Sequence, residues 1–169
     1  DWNKISFYMV DERCVKKTDQ QCNFLNLKTA FFEEISSKKH SMIDDKLSYE
    51  KSAEKYNKII DKNLPKINDI PQFDLILLGM GEDGHTASLF PNTKALNIFK
   101  KWVVLNKISK LNQRITITYP VILNAKKIII ICKGEGKRKI IENIYSNNPE
   151  NYPMLKIAKE YNELIWLTD

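Results

Sequence analysis

The residue types most able to do chemistry lie together near the middle of the chain. Residues 73–91 read FDLILLGMGEDGHTASLFP, so Asp83 and His85 follow an apolar run within a glycine-rich turn. Imidazole can exchange protons near neutral pH, so a histidine in such a turn is a candidate functional residue. The alternative is that the glycines only permit a turn and that His85 only caps the next helix. We favour a functional turn, because an acid, an imidazole and a flexible backbone converge at a predicted strand end.

Buried strands are needed to hold such side chains in place. Three apolar runs predict them: residues 5–10, 74–78 and 127–132. The central run is typical of a strand buried on both faces. Open α/β folds bind ligands where parallel strands end, so Asp11 and Arg13 after the first run and Lys137 after the third are expected at one edge with His85. Taken alone, Asp11 to Arg13 also fits a solvated loop.

The other predicted elements alternate along the chain. Apolar spacing predicts helices from about Asn23 to Ile35 and over 47–61, separated by a mobile loop over 36–45. Further strands are predicted over 102–105, 114–119 and 164–167, with a short turn or helix ending at Asn124 and a helix over 140–144. This order predicts a single α/β domain over 1–169, with a mostly parallel, Rossmann-like sheet and helices on both faces.

Composition excludes several classes of protein. A chain of 169 residues with 43% hydrophobic residues can bury a sizeable core, and a net charge of +6 fits an anionic ligand. We expect no nucleic-acid partner, since no basic stripe interleaved with aromatic residues is present. The longest apolar run is too short to span a membrane. Three widely spaced cysteines argue against a disulfide framework or a metal site and favour a cytoplasmic protein.

The glycine turn matches two phosphate-binding motifs only in part. Its glycines have the spacing G-x-G-x-x-G after a strand, but no acidic residue follows about 20 residues later to bind a ribose. Glu82 and Asp83 would also face the phosphates with like charge. The P-loop pattern fails because Gly84 is followed by His85 rather than by Lys and Ser or Thr.

Residues 74–91 resemble the signature of the 6-phosphogluconolactonases. Further blocks resemble that family in the same order: residues 11–13, 114–118, 134–137 and 166–169. The resemblance spans nearly the whole chain, and its central block is highly specific. It implies hydrolysis of 6-phospho-D-glucono-1,5-lactone to 6-phospho-D-gluconate in the pentose phosphate pathway, without a metal or redox cofactor.

The resemblance also implies catalytic roles for two residues. His85 is expected to act as the general base that takes a proton from the attacking water and returns it to the ring oxygen. An unperturbed imidazole pKa of about 6.5 suits both steps. Asp83 is expected to orient His85 or the sugar.

The substrate-binding residues are likewise implied by the resemblance. Arg114 and Lys137 are expected to hold the phosphate. Arg13 is expected to line the site beside Asp11, where stabilisation of the developing oxyanion is the alternative role. Gly81 is expected to contribute through the backbone N–H groups of its turn. A phosphate dianion favours guanidinium forks, an ammonium group and exposed N–H groups, so these residue types fit the ligand.

Two other functions stay open at this point. The glucosamine-6-phosphate deaminases and isomerases share the glycine turn, but their histidine is followed by a segment with a glutamate, where this chain has Ser88 to Pro91. Arg13 also replaces the tyrosine typical of that sister family. A non-catalytic phosphosugar- or nucleotide-binding module is the third hypothesis. It is favoured if the N-terminal segment of the 6-phosphogluconolactonases, with its phosphate loop, is truly absent here.

The resemblance suggests a protein partner as well. The chain begins some tens of residues later than family members usually do, so we expect it to lack the N-terminal portion of the lactonase domain. Fusion to or association with glucose-6-phosphate dehydrogenase would make chemical sense, because that enzyme generates the lactone.

Overall fold

The computed structural model describes residues 1–146 and 149–169 of the chain. Within these residues lie five α-helices: α1 (Asn23–Ala30), α2 (Tyr49–Asn63), α3 (Tyr119–Leu123), α4 (Glu135–Ile144) and α5 (Pro153–Glu160). The same residues form ten strands: β1 (Ser6–Tyr8), β2 (Asp11–Arg13), β3 (Lys38–His40), β4 (Lys66–Ile67), β5 (Ile70–Pro71), β6 (Ile76–Leu78), β7 (Val103–Lys107), β8 (Gln113–Ile117), β9 (Ile128–Ile131) and β10 (Ile165–Leu167).

Parallel and antiparallel sheets share the fold. Strand β9 pairs in parallel with both β6 and β10, and β1 pairs in parallel with β3. Strand β8 pairs antiparallel with β2 and β7, and β4 and β5 form a small hairpin. The predicted α/β, Rossmann-like class is confirmed. The antiparallel sheet was not predicted, and in it Asp11 to Arg13 form a strand rather than a solvated loop.

Helix α2 packs the predicted face against the core. Ala53, Tyr56 and Ile60 are at most 3% exposed, as their helical spacing predicted. The Tyr56 hydroxyl donates to the carbonyl oxygens of Met9 and His40, at 3.1 and 3.4 Å. It thereby ties α2 to the bend between β1 and β2 and to the end of β3, so one buried side chain joins three elements.

The central strand is buried on one face only, so the prediction of burial on both faces was wrong. Ile76 and Leu78 are each 2% exposed, but Leu75 and Leu77 are 47% and 50% exposed. The alternation follows the two-residue period of a strand. Within the described residues, the side chains of Leu75 and Leu77 therefore line an open apolar face of the β6–β9–β10 sheet.

Residues 36–45 are ordered rather than a mobile loop, which corrects a second prediction. Lys38 to His40 form β3, and Met42 and Ile43 are 1% and 2% exposed. Strand β3 is polar and its formation depends on the free edge of β1, which local sequence does not reveal.

Helix α1 is also shorter than predicted. It ends at Ala30, and Phe32 to Glu34 form a separate 3₁₀ turn. Helix α5 was not predicted at all. Across the described residues, no helix combines the length and the apolarity needed to cross a lipid bilayer.

The buried Tyr56 hydroxyl gives the first prediction. Tyr56→Phe should lower the free energy of unfolding by about 1–2 kcal/mol, because a buried carbonyl then loses its donor. Urea denaturation measures this change. Tyr161 is the matched control, since its hydroxyl donates to the Lys126 carbonyl in an exposed position. Tyr161→Phe should change the stability by less than about 0.5 kcal/mol, because water replaces the lost group. Equal losses in the two variants would contradict the role given to Tyr56.

Candidate active site

The turn after β6 is closed by its own backbone. The N–H of Gly81 donates to the carbonyl of His85 at 2.8 Å, and the N–H of Gly84 donates to the carbonyl of Gly81 at 3.1 Å. The Thr86 hydroxyl donates to the Gly79 carbonyl at 2.8 Å and anchors the turn to the strand end. These bonds hold the His85 side chain at the carboxyl end of β6, as the sequence predicted.

Asp83 orients the imidazole of His85. Its Oδ1 lies 2.5 Å from Nδ1 of the ring and also accepts the backbone N–H of His85 at 3.2 Å. A carboxylate partner assigns the proton to Nδ1 in the neutral ring, which leaves the lone pair on Nε2. The ring stacks on Phe90, with ring centroids 3.9 Å apart. The arrangement is that of an oriented general base whose reactive atom is Nε2.

The same contacts perturb the acidity of Asp83. Partial burial opposes its negative charge, but the hydrogen bonds from the His85 ring and backbone outweigh this and lower the pKa of Asp83. The carboxyl group therefore stays ionised near neutral pH, and it acts as an acceptor that holds the ring.

Two glycines of the turn are required by close contacts. A Cβ on Gly81 would lie 2.1 Å from Nδ1 of His85 and 2.8 Å from Oδ1 of Asp83. Gly84 has a φ of 69°, and a Cβ there would lie 2.5 Å from the ring of Tyr152. Gly81 thus makes room for the His85–Asp83 pair, and Gly84 makes room for the segment that leads into α5.

Strand β2 presents one face to this turn. Asp11 and Arg13 alternate with Glu12, so they point to the same face of the antiparallel sheet. In the pairing with β8, Asp11 lies opposite Thr116 and Arg13 lies opposite Arg114. The antiparallel register, which the sequence did not reveal, therefore sets the two arginines side by side.

Ser88 connects the histidine turn to that sheet. Its hydroxyl donates to Oδ2 of Asp11 at 2.6 Å, and its backbone N–H donates to the hydroxyl of Thr116 at 3.1 Å. Its carbonyl accepts from the side-chain amide of Asn106 at 2.8 Å. These three bonds dock the chain just after His85 onto β2, β7 and β8.

The carboxyl group of Asp11 is partly buried beside positively charged groups. Burial raises the pKa of its carboxyl group, while the hydrogen bond from Ser88 and the charges of Arg13, Arg114 and His85 oppose that shift. The pairing of β2 with β8 and the bond from Ser88 set both arginines and the His85 turn next to this carboxylate. Four of the predicted site residues thus converge.

The paired arginines form a positive site beside the imidazole. Burial, followed by repulsion from Arg13, lowers the pKa of the Arg114 guanidinium, and the charge of Asp11 opposes this effect. Two like charges held together are relieved by an anion, and guanidinium forks match the geometry of phosphate or carboxylate oxygens. The site can therefore bind an anion next to a general base.

Lys137 lies in the first turn of α4. It lines a cavity of about 200 Å³ near Cys132, Arg138 and Asp169, after the turn that follows β9. The structure brings Asp11, Arg13, His85 and Arg114 together and sets Asp83 and Gly81 against His85. The role of Lys137 as a phosphate ligand stays a prediction. Within the described residues, no three His, Cys, Asp or Glu side chains are grouped to hold a metal ion.

Sequence reasoning missed several residues of the site. Ser88 and Phe90 were used to distinguish families but were given no structural task. Asn23 and Tyr152 were not considered for the site. The sequence offered a weak signal for Ser88 and Phe90, since they follow His85 within one short segment. It offered none for Asn23, which bonds to Arg13 and Asp11, or for Tyr152, which lies against Gly84, because these contacts join distant elements.

Comparisons with known proteins identify relatives of this chain. Residues 1–166 match the family model described as glucosamine-6-phosphate isomerases/6-phosphogluconolactonase. The chain is 33% identical over 180 residues to 6-phosphogluconolactonase 3, chloroplastic, of Arabidopsis thaliana, and this match covers all of the chain and 55% of the relative. The chain thus spans about half the length of that relative.

Solved structures agree with the sequence comparison. The crystal structure of a devB protein matches with a TM-score of 0.87 and 31% identity, over 99% of this chain and 72% of that one. The 6-phosphogluconolactonase of Thermotoga maritima matches with a TM-score of 0.81 and 27% identity, over 99% of this chain and 73% of that one. The Rossmann-like architecture is therefore shared with proteins of this kind.

The contact between Gly81 and His85 gives a second prediction. Gly81→Ala should displace the imidazole and break its bond to Asp83, because the new Cβ overlaps Nδ1. The ¹⁵N chemical shifts of the imidazole measure the loss, and we expect destabilisation of about 1–3 kcal/mol. Gly136→Ala is the matched control, since a Cβ at Gly136 in α4 meets nothing within 4 Å. Unchanged imidazole shifts in Gly81→Ala would disprove the steric argument.

The acidity of Asp83 gives a third prediction. Its pKa, measured by ¹³C NMR of the carboxyl group, should lie below the usual value of about 3.9 and rise in His85→Ala. The pKa of Asp83 is lower in the folded chain than in the unfolded chain. The Asp83–His85 pair therefore stabilises the fold fully at pH values above the unfolded-state pKa, and this stabilisation is lost as the pH falls through the folded-state pKa. Asp61 is an internal control, since hydrogen bonds from Lys66 and Trp102 lower its pKa independently of His85. An unchanged Asp83 pKa in the variant would refute the assignment.

Proposed function

The chain belongs to the family of glucosamine-6-phosphate isomerases and 6-phosphogluconolactonases, and on that basis we propose that it hydrolyses 6-phospho-D-glucono-1,5-lactone to 6-phospho-D-gluconate in the pentose phosphate pathway. The observation that carries this proposal is the oriented imidazole of His85 beside the arginine pair. This arrangement combines a base that can activate water with a positively charged site that can bind a phosphorylated substrate.

The reaction follows from the free lone pair on Nε2. His85 takes a proton from a water molecule while the water oxygen bonds to the lactone carbonyl carbon. The tetrahedral intermediate then collapses, the bond from that carbon to the ring oxygen breaks, and the imidazolium returns the proton to the ring oxygen. Asp83 holds the ring by Nδ1 and stabilises the imidazolium that forms between the two steps.

Substrate binding is assigned to the arginine pair. Arg114 and Arg13 would hold the phosphate dianion, whose charge offsets the repulsion between their guanidinium groups. The negative charge of Asp11 offsets the positive charges of both arginines. The N–H of Gly81 already donates to the His85 carbonyl, so Gly81 contributes by making room for the His85–Asp83 pair. Lys137 stays a predicted phosphate ligand.

The segment after His85 favours the lactonase over the deaminase. Residues 86–91 contain no carboxylate that could assist the opening of a sugar ring. Phe90 occupies this segment instead and stacks on His85. Lactone hydrolysis needs only one base, which acts twice, and the site supplies one.

The biological setting is part of the proposal. We infer a cytoplasmic enzyme, supported by three free cysteines. Residues 1–169 would form most of one lactonase domain. Fusion to or association with glucose-6-phosphate dehydrogenase is kept as a proposal on chemical grounds, because that enzyme supplies an unstable lactone.

Hydrolysis of freshly generated lactone tests the function and gives the fourth prediction. The 169-residue chain should release acid above the spontaneous rate, and His85→Ala should lower kcat/KM about 10²- to 10⁴-fold while the circular dichroism spectrum is retained. His40→Ala is the matched control: it is the other histidine of the chain and stacks on Tyr8 in another part of the fold. It should keep the activity.

Three outcomes would contradict the proposal. A folded chain without hydrolysis above the spontaneous rate would remove the lactonase assignment. Ammonia release from glucosamine 6-phosphate would favour the sister activity. Binding of 6-phosphogluconate without any turnover would favour a binding module.

A further inference from the structure

Asn23, the first residue of α1, contacts two of the charged residues of the site. Its Oδ1 accepts from Nη1 of Arg13 at 2.6 Å, and its Nδ2 donates to both the backbone carbonyl and Oδ1 of Asp11 at 3.3 Å. We propose that Asn23 is a positioning residue for substrate binding, which fixes the Arg13 guanidinium and the Asp11 carboxylate in one arrangement. The inference rests on the proposed lactonase function and adds a residue to it.

Glu12 anchors Asn23 from the opposite face of β2. Its carboxylate is fully buried and accepts the backbone N–H groups of Asn23 and Phe24, at 2.7 and 2.8 Å. It also accepts the N–H of Arg13 at 2.8 Å and the thiol of Cys22 at 3.4 Å. Cys22, the N-cap residue of α1, makes no side-chain cap bond, so Glu12 supplies the cap from a neighbouring strand.

The alternation of β2 explains why this anchor can work. Asp11 and Arg13 point toward the site, whereas Glu12 points toward the N-terminus of α1. One three-residue strand therefore holds α1 with its middle side chain and meets Asn23 with the flanking two. The hydrogen bonds from the backbone N–H groups of Asn23 and Arg13 to the Glu12 carboxylate fix the two residues relative to each other. Their relative position therefore does not depend on the flexible Arg13 side chain alone.

The chemistry of an amide suits this position. Only a group that both accepts and donates can satisfy a guanidinium and a carboxylate at once. Aspartate would lack the donor toward Asp11 and would add a second negative charge beside it, and alanine would make neither bond. A leucine or other apolar residue would also leave Asp11 short of a donor in a buried position.

The consequence for the ligand is preorganisation. Both hydrogen bonds that the described residues make with the Arg13 guanidinium use Nη1, which donates to Oδ1 of Asn23 at 2.6 Å and to the Gln21 carbonyl at 3.1 Å. The Nε and Nη2 groups can then face the substrate while the side chain is already held. Binding costs less conformational entropy when an arginine is fixed beforehand.

A double-mutant cycle tests the proposal and gives the fifth prediction. Asn23→Ala should raise KM about tenfold and change kcat less than about twofold, because Arg13 binds the phosphate away from the reacting carbon. In an Arg13→Gln background, the same change should raise KM less than about twofold, since Asn23 acts through Arg13. Asn26→Ala is the matched control: Asn26 lies in the same helix and donates to the Gln20 carbonyl. It should leave KM unchanged.

A second measurement does not depend on activity. The ¹⁵N NMR signals of the Arg13 guanidinium should show hindered rotation in the wild-type chain and faster rotation in Asn23→Ala, but not in Asn26→Ala. A chain that lacks lactonase activity but shows this difference would refute the proposed function and support the positioning role. Additive effects on KM, or equal Arg13 signals in the wild-type chain and Asn23→Ala, would overturn the inference even if Asn23→Ala is less stable.

Discussion

The site depends on the interactions of the partly buried Asp11 carboxylate. It accepts hydrogen bonds from Ser88 and Asn23 and lies among the charges of Arg13, Arg114 and His85. A buried charge is tolerated only when hydrogen bonds and opposite charges compensate its desolvation. Asp11 therefore requires that three distant segments meet, and these are the segments that carry the base and the anion site.

The site divides its two tasks between two kinds of backbone. A glycine turn positions the base, because a Cβ at position 81 would overlap the imidazole of His85 and the carboxylate of Asp83. An antiparallel strand pair positions the arginines, because the register sets Arg13 opposite Arg114. Ser88 links the two parts. The strand pair fixes the two arginines and the hydrogen-bonded turn fixes the imidazole, so both groups are positioned before a ligand binds.

Helix α1 also stabilises the site. Its first turn is capped by Glu12, a side chain of another element, so the helix and β2 stabilise each other. The bonds that terminate the helix also orient its first residue, Asn23, toward the site. The buried carboxylate of Glu12 thus maintains both the start of α1 and the position of Asn23 at the site. This explains why three consecutive charged residues can occupy one strand.

Local sequence determined the elements with strong periodicity. The apolar spacing of α2, the strand–turn pattern around His85 and the strands β7 to β10 were all predicted, since period and turn chemistry are encoded within a few residues. The strand pattern also placed Arg13 at the same predicted sheet edge as His85. The family resemblance then supplied the role of Asp83 and the place of Arg114, although nothing in the local sequence required the two arginines to meet.

Only the tertiary structure decided what depends on distant contacts. It formed β3 on the edge of β1, left one face of β6 open and paired β2 with β8. It also brought Asn23 and Ser88 to Asp11. The physical reason is that strand pairing and the burial of charge are set by partners far apart in the chain, and a residue's own neighbours in sequence carry little information about them.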